Sequence, residues 1–593
     1  MSGCRRFEAS AAPAQLFHGC CIDYTPTLLH GAVDTLDLPR HQLPFGLRQV
    51  PFFRFDVVVV GGGVAGGAAA LAAANAGATV AVVLKGDTKD SNTHWAAGGI
   101  AAVLQASDSF DSHVEDTLAV GCGLSDREAV ERVVRGGPGA MEWLLALGAR
   151  FDRAADGSLA VSLEGGHSHA RVAHANGDAT GMEIQRTLAA ALASHPLVEV
   201  FPQTFAVDVL TERDGRAGGV LALDARGRRI AFCAAQVVLA TGGAGQLYRE
   251  TTNPDIATGD GVAMALRAGA ALRDMEFVQF HPTCLYIAGA ARALVSEVVR
   301  GHGGQLVDRH GVRFMREYHP DAELAPRDVV SRAVAARMAQ TGDTSAYLDL
   351  SQVDGDAHEL FPGISRICRF FGIDIARDPV PVRPGCHYLV GGVATDLDGR
   401  TGVRGLWAVG ECASTGLHGA NRMGSNSLLE GLVLGLQAGR AAASESSRDV
   451  DPRTLVSSGP ERSIGVPPGV QFNTQDVVYA LKSLMWRQVG VERDGAELAD
   501  ALAKLHFWGQ AASRAGDGGA RALELVNMLT VARAIVLSAL HRRESRGTHH
   551  RRDHPSRAEP CHTLLRPAIE QGVLARLYLT HEPVRLATGA PYP

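Results

Sequence analysis

A glycine-rich segment directly follows the apolar run at residues 57–60. It consists of Gly61, Gly62, Gly63, Val64, Ala65 and Gly66, which satisfy the pattern G-x-G-x-x-G. Glycines let the backbone approach a pyrophosphate, and the helix expected to begin here presents unpaired N–H groups and its dipole to that negative charge. A glycine turn can also close a purely structural crossover, but its place between a strand and a helix favours dinucleotide binding.

Two charged residues near strand ends bear on the ligand. The second predicted strand, residues 79–84, is followed by Lys85, where a carboxylate for the ribose of NAD is usual, and this weakens NAD as the ligand. Lys85 would lie near a phosphate or ribose, or would be a solvated lysine. Glu411 follows a strand and a glycine, where its carboxylate can accept hydrogen bonds from a ribose hydroxyl.

The elements that must position these residues come from distant parts of the chain. Residues 236–240 and 405–409 are apolar runs that lead into glycines, as residues 57–60 do, and such junctions predict one parallel sheet with the ligand at the carboxyl ends of its strands. The glycine-punctuated pattern stops near residue 280, and helix-like stretches before residue 389 predict an inserted cap. Helical spacing of apolar residues over 474–545 predicts a small helical bundle.

The composition predicts a folded cytoplasmic protein of several domains, with 46% hydrophobic and 20% charged residues in a chain of 593. A net charge of -6 argues against a nucleic-acid or anionic-membrane partner. The uncharged stretch 57–84 is long enough to span a membrane, but its glycines favour a buried strand, turn and helix. The 10 cysteines lack metal-ligand spacing, so we expect reduced thiols and no metal site.

Six motifs resemble those of the L-aspartate oxidase family, which belongs to the succinate dehydrogenase and fumarate reductase flavoprotein superfamily. They are SNTHWAAGGIAA at residues 91–102, HVEDT at 113–117, EGGHSH at 164–169, QFHPT at 279–283, APRD at 325–328 and HGANRM at 418–423. The resemblance extends from residue 55 to about residue 555. It implies FAD as the cofactor and an α/β fold, with a Rossmann-like FAD-binding domain, an inserted α+β capping domain and a C-terminal helical bundle.

The expected domain bounds combine the patterns with this resemblance. Residues 1–51 are expected to be a poorly ordered N-terminal extension, residues 52–279 and 390–446 the FAD-binding domain, residues 280–389 the capping domain, residues 470–555 the bundle and residues 556–593 a tail. A transit peptide is the alternative for the first segment, but its acidic residues disfavour that interpretation.

The resemblance implies that several segments bind FAD. The predicted contacts are the glycine segment, Lys85, Asn92, Thr93, His94, Trp95, Ala96, Ala97, Gly98, Gly99, Asp260, Glu411, Ser427 and Leu428. Asn92 stands where respiratory members carry the histidine that attaches FAD covalently, so we expect non-covalent FAD, although His94 lies two residues on. Ala97 stands where a glutamine is usual. Residues 425–430 form a plausible helix start whose N–H groups could face the electron-rich end of a reduced flavin.

The resemblance also implies a site for a small dicarboxylate. His281, Ser296, His387 and Arg422 match positions that hold the two carboxylates, and a guanidinium is suited to a bidentate grip. Taken singly, any one of them would be interpreted as a satisfied core histidine or a surface arginine. Their matched spacing favours a site.

Arg327 matches the family's proton donor and acceptor. Because the pKa of an arginine lies above about 12, such a residue must act through a relay. Glu297 and Arg300 are the candidates for the relay. The alternative is a salt-bridge network that holds the cap.

We assign the choice of substrate to Glu115, because a carboxylate in a closed site can pair with the ammonium group of L-aspartate and repel a plain dicarboxylate. The alternative is a solvated helix glutamate. The implied reaction oxidises L-aspartate to iminoaspartate, the first step of de novo NAD biosynthesis, with O2 (giving H2O2) or fumarate as electron acceptor and with functional coupling to quinolinate synthase. The rival functions are a respiratory-type succinate dehydrogenase or fumarate reductase flavoprotein and a non-catalytic FAD-binding protein.

Overall fold

The structure is a computed structural model that describes residues 32–43, 50–287, 293–456, 473–514, 519–570 and 573–584. Its strands are β1 (Ala32–Pro39), β2 (Phe52–Val60), β3 (Val80–Val83), β4 (Ile100–Ala101), β5 (Val161–Ser162), β6 (Val172–Ala173), β7 (Val198–Phe201), β8 (Phe205–Glu212), β9 (Ala217–Leu223), β10 (Arg229–Leu239), β11 (Leu272–Arg273), β12 (Val278–Leu285), β13 (Gln305–Val307), β14 (Ala346–Asp349), β15 (Val380–Leu389), β16 (Gly392–Ala394), β17 (Leu406–Ala408), β18 (Ala413–Ser414), β19 (Leu455–Val456), β20 (Cys561–Glu570) and β21 (Val573–Pro583). Its helices are α1 (Val64–Asn75), α2 (Phe110–Val120), α3 (Arg127–Ala146), α4 (Thr180–Ser194), α5 (Asp260–Ala268), α6 (Glu297–Gly301), α7 (Arg327–Thr341), α8 (Ala357–Leu360), α9 (Pro362–Phe370), α10 (Asn426–Ser444), α11 (Thr474–Gln488), α12 (Gly495–Arg514) and α13 (Gly519–His541).

The largest sheet has the strand order β19-β8-β9-β10-β2-β3-β7, and β17 also pairs with β10. Strands β2, β3, β7, β10 and β17 run parallel, with Val238 of β10 opposite both Val59 and Trp407. The prediction that the three strand-to-glycine junctions belong to one parallel sheet is therefore confirmed. Their apolar runs are buried on both faces, as the central strands of a covered parallel sheet require.

Helices α1 and α10 lie side by side and run in the same direction along this sheet. Their backbones approach closely because Gly435 faces Ala65: a Cβ at Gly435 would lie only 2.6 Å from the carbonyl oxygen of Ala65. The helices therefore begin at the same end of the sheet, where β2, β10 and β17 also end.

An inserted unit covers this end. Its four-stranded antiparallel sheet has the order β12-β15-β14-β13, and helices α6 to α9 complete it. It has its own apolar core, which runs from Leu285 to Val382. Helix α7 is held to β12 because Ser331 Oγ donates to the carbonyl of Phe280 at 2.7 Å.

Helices α11, α12 and α13 form the helical region that apolar spacing predicts. Leu481, Leu484, Leu498, Leu505 and Leu529 are buried, in agreement with that spacing. Among the described residues, α13 is long and apolar enough to cross a membrane, and 83% of its most apolar window is buried inside the protein. The Rossmann-like sheet, the inserted cap and the helical region confirm the expected fold class.

Two terminal segments differ from the sequence-based expectation. Within the stretch assigned to a poorly ordered extension, residues 32–39 form β1, which pairs with β21. Within the stretch assigned to a tail, β20 and β21 form an antiparallel hairpin whose first strand also pairs with β11. In the pairs β1–β21 and β11–β20 the two strands lie hundreds of residues apart in the sequence, and local periodicity carries no signal of such pairing.

Candidate active site

One cavity of about 1200 Å³ joins the predicted cofactor residues to the predicted substrate residues. The cofactor residues that line it are Gly61, Gly62, Gly63, Val64, Ala65, Lys85, Asn92, Thr93, His94, Trp95, Ala96, Ala97, Gly98, Gly99, Asp260, Glu411, Ser427 and Leu428. At the other end it is lined by His281, Ser296, Glu297, Arg327, His387 and Arg422. Gly66, Arg300 and Glu115 are not among the lining residues.

The glycine turn has the geometry of a phosphate cradle. Gly61 has a φ of 108°, and a Cβ there would collide with the carbonyl oxygen of Ala240. Gly66 does not face the cavity because it packs against the carbonyl of Gly61, where a Cβ would also collide. Helix α1 begins at Val64, and its N-cap, Gly63, has no side chain to cap it. The N–H of Val64 donates to Thr93 Oγ1 at 2.9 Å, so the N–H groups that follow in the first turn can receive an anion.

Helix α10 provides a second uncapped N-terminus on the same cavity. Its N-cap residue, Ser425, has a φ of 62° and uses its hydroxyl to donate to Glu164 rather than to cap the helix. Ser427 and Leu428 in the first turn line the cavity. Two uncapped helix N-termini at separate points of one long cavity fit FAD, which has a pyrophosphate and an electron-rich flavin ring.

Lys85 lies at the end of β3, the strand next to the glycine turn. Its Nζ donates to Asp260 Oδ2 and to Thr258 Oγ1, each at 2.7 Å, and its side chain is only 20% exposed. Burial would lower the pKa of this ammonium, but Asp260 and Glu524 outweigh it and raise the pKa. The alternative of a solvated lysine is therefore wrong.

Glu411 and Asn92 meet where β17 ends. Asn92 Nδ2 donates to Glu411 Oε2 at 2.9 Å, and the backbone N–H of Leu389 donates to Glu411 Oε1 at 3.0 Å. Burial raises the pKa of Glu411. Both side chains line the cavity.

His281 and His387 face each other across the strands β12 and β15, with ring centroids 5.3 Å apart. The N–H of Thr283 donates to His281 Nδ1 at 3.3 Å, so Nε2 carries the proton of the neutral ring. This buried Nε2 has no protein partner among the described residues and is free to donate to a ligand. Burial, reinforced by neighbouring arginines, holds the pKa of both histidines well below the usual value.

Arg422 and Arg327 line the same end of the cavity as these histidines but belong to different elements. Arg422 lies in the loop before α10, stacks over the ring of Tyr388 at 4.7 Å and donates to Ser427 Oγ at 2.7 Å. Arg327 is the first residue of α7 in the cap. Both guanidinium groups also donate to Gln279 Oε1, at 3.4 and 3.2 Å, so they converge on one point. Burial and the charge of Arg327 lower the pKa of Arg422 to about 10.

The predicted relay residues are in contact. Arg327 Nη2 donates to Glu297 Oε2 at 2.8 Å, and Arg300 Nη2 donates to Glu297 Oε1 at 2.9 Å. Burial would raise the pKa of Glu297, yet the two arginines outweigh it and lower the pKa to about 2. Ser296 begins α6, where its Oγ accepts from the N–H of Val298 at 3.4 Å.

Glu115 is not part of this site, and its assignment as the selector of substrate is wrong. It lies on the outer face of α2, its side chain is 64% exposed, and it pairs with Arg127 at 2.8 Å. The spacing of a helix explains the error: His113 and Thr117 of the same motif face inward, so the residue between them points to solvent.

Glu164 is the carboxylate that the sequence analysis did not assign to the site. It lines the cavity, its side chain is 3% exposed, and Ser425 Oγ donates to its Oε2 at 2.6 Å. Its buried Oε1 accepts no hydrogen bond from the described residues, and His174 Nε2 lies 3.5 Å from it. A Cβ at Gly424 would lie 3.0 Å from Arg327 Nη2 and 3.5 Å from Glu164 Oε2, so the two charges flank one glycine. Glu164 is the first residue of the EGGHSH motif, so this motif is the sequence signal that could have identified it.

Other polar residues of the HVEDT and EGGHSH motifs hold the loop that carries Glu164. His167 Nε2 contacts the carbonyl of Gly424 at 3.1 Å, and Asp116 accepts from the N–H of Ser168 at 2.8 Å. His113 Nε2 contacts Asn426 Oδ1, at the start of α10, at 2.9 Å. These contacts fix the loop that carries Glu164 against the start of α10.

The ESRGTH segment at residues 544–549 braces the loop that carries Arg422. The N–H of Thr548 donates to the carbonyl of Ala420 at 3.0 Å, and a Cβ at Gly547, which has a φ of 53°, would collide with that carbonyl. Arg332 of α7 donates to the carbonyl of Gly547 at 3.1 Å. The C-terminal region therefore joins the cap to this loop.

Known proteins resemble this chain over most of its length. The family described as FAD binding domain matches residues 56–428, and the family described as fumarate reductase flavoprotein C-term matches residues 479–589. A Streptomyces coelicolor protein named L-aspartate oxidase is 45% identical over 85% of this chain and 89% of its own length. A Ralstonia nicotianae protein named L-aspartate oxidase 1 is 43% identical over 87% of this chain and 98% of its own length.

Solved structures give the same result for the fold. The quinol fumarate reductase of E. coli superposes with a TM-score of 0.83 and 33% identity, over 92% of this chain and 99% of that chain. Together with the relatives, this likeness confirms the resemblance drawn from the six motifs. The chain belongs to the L-aspartate oxidase family of FAD-binding flavoproteins.

Proposed function

We propose that this protein is an FAD-dependent L-aspartate oxidase. The observation that carries the proposal is the convergence of Arg327, Arg422, His281 and Glu164 on the cavity that also contains both uncapped helix N-termini. Two guanidinium groups suit a molecule with two carboxylates, and one buried carboxylate suits a molecule with one ammonium group. L-aspartate has both.

The two acid ends of the substrate would be held by two groups of residues, one around Arg422 and one around Arg327. Arg422, with His387 and the Nε2–H of His281, can bind one carboxylate, and Ser296 and Arg327 lie where a second carboxylate would be held. The orphaned Oε1 of Glu164 can accept from the ammonium group. A plain dicarboxylate offers no donor to this oxygen and would leave a buried charge unpaired.

FAD supplies a two-electron acceptor for the hydride lost from the substrate carbon, and O2 (giving H2O2) or fumarate would then take those electrons. The protein must remove the accompanying proton. Arg327 and Glu297 both line the cavity, and Glu297 accepts from Arg327 on one oxygen and from Arg300 on the other. For Arg327 to take up the substrate proton, it would pass one of its own N–H protons to the Glu297 carboxylate, and this charge-assisted hydrogen bond is the route for that transfer.

The product would be iminoaspartate, which water hydrolyses, so an enzyme that consumes it at once is expected. Quinolinate synthase is that enzyme in de novo NAD biosynthesis, and we propose functional coupling to it in the cytoplasm. FAD would be dissociable because the amide of Asn92 is no nucleophile and is occupied by Glu411 at 2.9 Å. Acid precipitation should therefore release the flavin into the supernatant, whereas attachment through His94 would leave it on the protein.

The central test mixes purified FAD-loaded protein with L-aspartate or succinate in the absence of oxygen and follows flavin absorbance near 450 nm, about where oxidised flavins absorb. We expect bleaching by L-aspartate at concentrations where succinate has no effect. Bleaching by succinate instead would establish the respiratory-type alternative. Bound flavin that neither acid bleaches would mark a non-catalytic FAD-binding protein.

A further inference from the structure

Helix α13 reaches the end of the cavity that lies farthest from the substrate residues. Its Glu524 Oε1 is 2.5 Å from Lys85 Nζ, and its Asn527 Nδ2 donates to Asp260 Oδ1 at 2.8 Å. The two residues are three positions apart, so they lie on the same face of the helix. Neither lines the cavity, whereas Lys85 and Asp260 both do.

Lys85 occupies the position at which a Rossmann-like fold binds the ribose next to the pyrophosphate, and Asp260, the first residue of α5, is bonded to it there. This position is the end of the strand beside the glycine turn, here β3. The two side chains are bonded to each other, so one carboxylate oxygen and the ammonium are engaged within the pair. Glu524 contacts the Lys85 ammonium, and Asn527 donates to the remaining oxygen of Asp260.

The helix also fixes the turn that presents Asp260. Gly259 has a φ of 80°, and a Cβ there would lie 3.0 Å from Cγ2 of Val531 on α13. Asn527 is fully buried and accepts in addition from Arg267 Nη1 of α5 at 2.7 Å. Helix α13 is therefore packed directly behind the first turn of α5, which begins with Asp260.

We propose that α13 is part of the cofactor site: it preorganises Lys85 and Asp260 through Glu524 and Asn527, so binding of FAD and docking of α13 are thermodynamically coupled. This inference rests on the proposed cofactor. It assigns to the C-terminal helical region a role in cofactor affinity in addition to its role as a brace. Because coupling is reciprocal, FAD must stabilise α13 by the same factor by which docked α13 favours FAD.

The first test compares hydrogen exchange of the full-length apoprotein with and without added FAD. The first turns of α13 are partly exposed and can report a gain in protection. We expect slower exchange in residues 519–531 on FAD addition and a smaller change in α12. Equal changes in α12 and α13, or none in α13, would overturn the proposal.

The second test measures the dissociation constant of FAD by titration of the apoprotein with quenching of flavin fluorescence. Loss of preorganisation in Glu524→Gln and in Asn527→Ala should raise this constant about threefold to tenfold. The matched control, Glu142→Gln at an exposed position of α3, should remain within about twofold of the wild type, since it removes a helix charge away from the cavity. An unchanged constant in both α13 variants, with wild-type melting temperatures, would contradict the inference. Failure of the wild-type protein to bind FAD would instead refute the proposed cofactor.

Discussion

A carboxylate selects an amine only where water is excluded. Glu115 is mostly exposed and pairs with Arg127 in solvent, where such a contact is worth at most about 1 kcal/mol. Glu164 is buried near Arg327, and its Oε1 accepts no hydrogen bond from the described residues, although His174 Nε2 lies 3.5 Å away. A side chain in that setting gains far more from pairing with a ligand cation, because the protein has already removed its water.

Exchanging Glu164 for its amide should therefore change the choice of substrate. In Glu164→Gln we expect kcat/KM for L-aspartate to fall about a hundredfold or more, while binding of succinate as an inhibitor improves, because the repulsive charge is gone. The measurement is steady-state H2O2 production with succinate as inhibitor. Glu115→Gln is the matched control and should leave both values unchanged. Equal losses for aspartate and succinate in Glu164→Gln would remove the ammonium contact from the proposal.

Arg327 should be required for turnover but not for cofactor binding. Its guanidinium contacts Glu297 and Gln279 and lies at the substrate end of the cavity. In Arg327→Leu we expect kcat to fall about a thousandfold or more, the scale of a lost acid–base group, with the flavin spectrum retained. Stopped-flow reduction of the bound flavin measures the step directly. Arg369→Leu on the exposed face of α9 is the control, and activity near that of the control would refute the assigned role of Arg327.

At the scale of elements, the site requires α7 of the cap to be held in register with the loop before α10. The residue after Arg327 and the residue before Arg422 are bonded to each other: Asn421 Nδ2 donates to Asp328 Oδ1 at 3.0 Å. Arg332, one turn later on α7, donates to Asp328 Oδ2 at 2.9 Å and to Gly547 of the C-terminal region. The Asn421–Asp328 hydrogen bond, which lies next to both arginines in the sequence, thus helps to set the separation of the two guanidinium groups.

Exchanging the two side chains of the Asn421–Asp328 hydrogen bond should recover part of the activity that is lost when this bond is broken. Asp328→Ala should raise KM and lower kcat, together by about tenfold to a hundredfold in kcat/KM, because misplacement of a clamp by about 1 Å has that cost. FAD affinity should not change. In the double variant Asp328→Asn with Asn421→Asp the amide and carboxylate trade places, so part of the loss should be recovered relative to Asn421→Asp alone, which juxtaposes two carboxylates. Additive losses in the pair would show that the bond does not position the arginines.

At the scale of the molecule, the sequence pattern predicted those features that depend on residues close together in the chain. The valine run and glycine turn of β2 and α1 could be derived from spacing, and the motifs located Arg327, His281 and Glu297. The sequence alone does not show which face of α2 points inward. The exposed Glu115 was therefore assigned to the site in place of the buried Glu164. Nor could pattern show that α13 lies behind Lys85, or that β1 pairs with β21, since these contacts join residues hundreds of positions apart.

Several buried histidines should make the whole protein sensitive to mild acid. Burial lowers the pKa of His113 to about 4 and that of His167 to about 3, while the unfolded chain titrates near 6.5. The unfolded state therefore binds protons first as the pH falls below 6.5, so stability is complete above that pH and declines toward the folded pKa, by about 1.4 kcal/mol per pH unit for each group. Glu297, with a pKa of about 2, adds to the decline only below about pH 4.5.

His113→Gln should separate this effect from general acid damage. The ring contacts Asn426 at 2.9 Å, and a glutamine amide can keep that hydrogen bond without titrating. We expect the variant to be less stable than the wild type at pH 7.5, and this difference to shrink by about 2 kcal/mol by pH 5, because the wild type alone loses the contribution of a neutral His113. Urea unfolding at the two pH values measures it. The exposed His310→Gln should keep the wild-type pH dependence. A parallel decline of His113→Gln and wild type would show that buried neutral histidines do not set the acid limit of the fold.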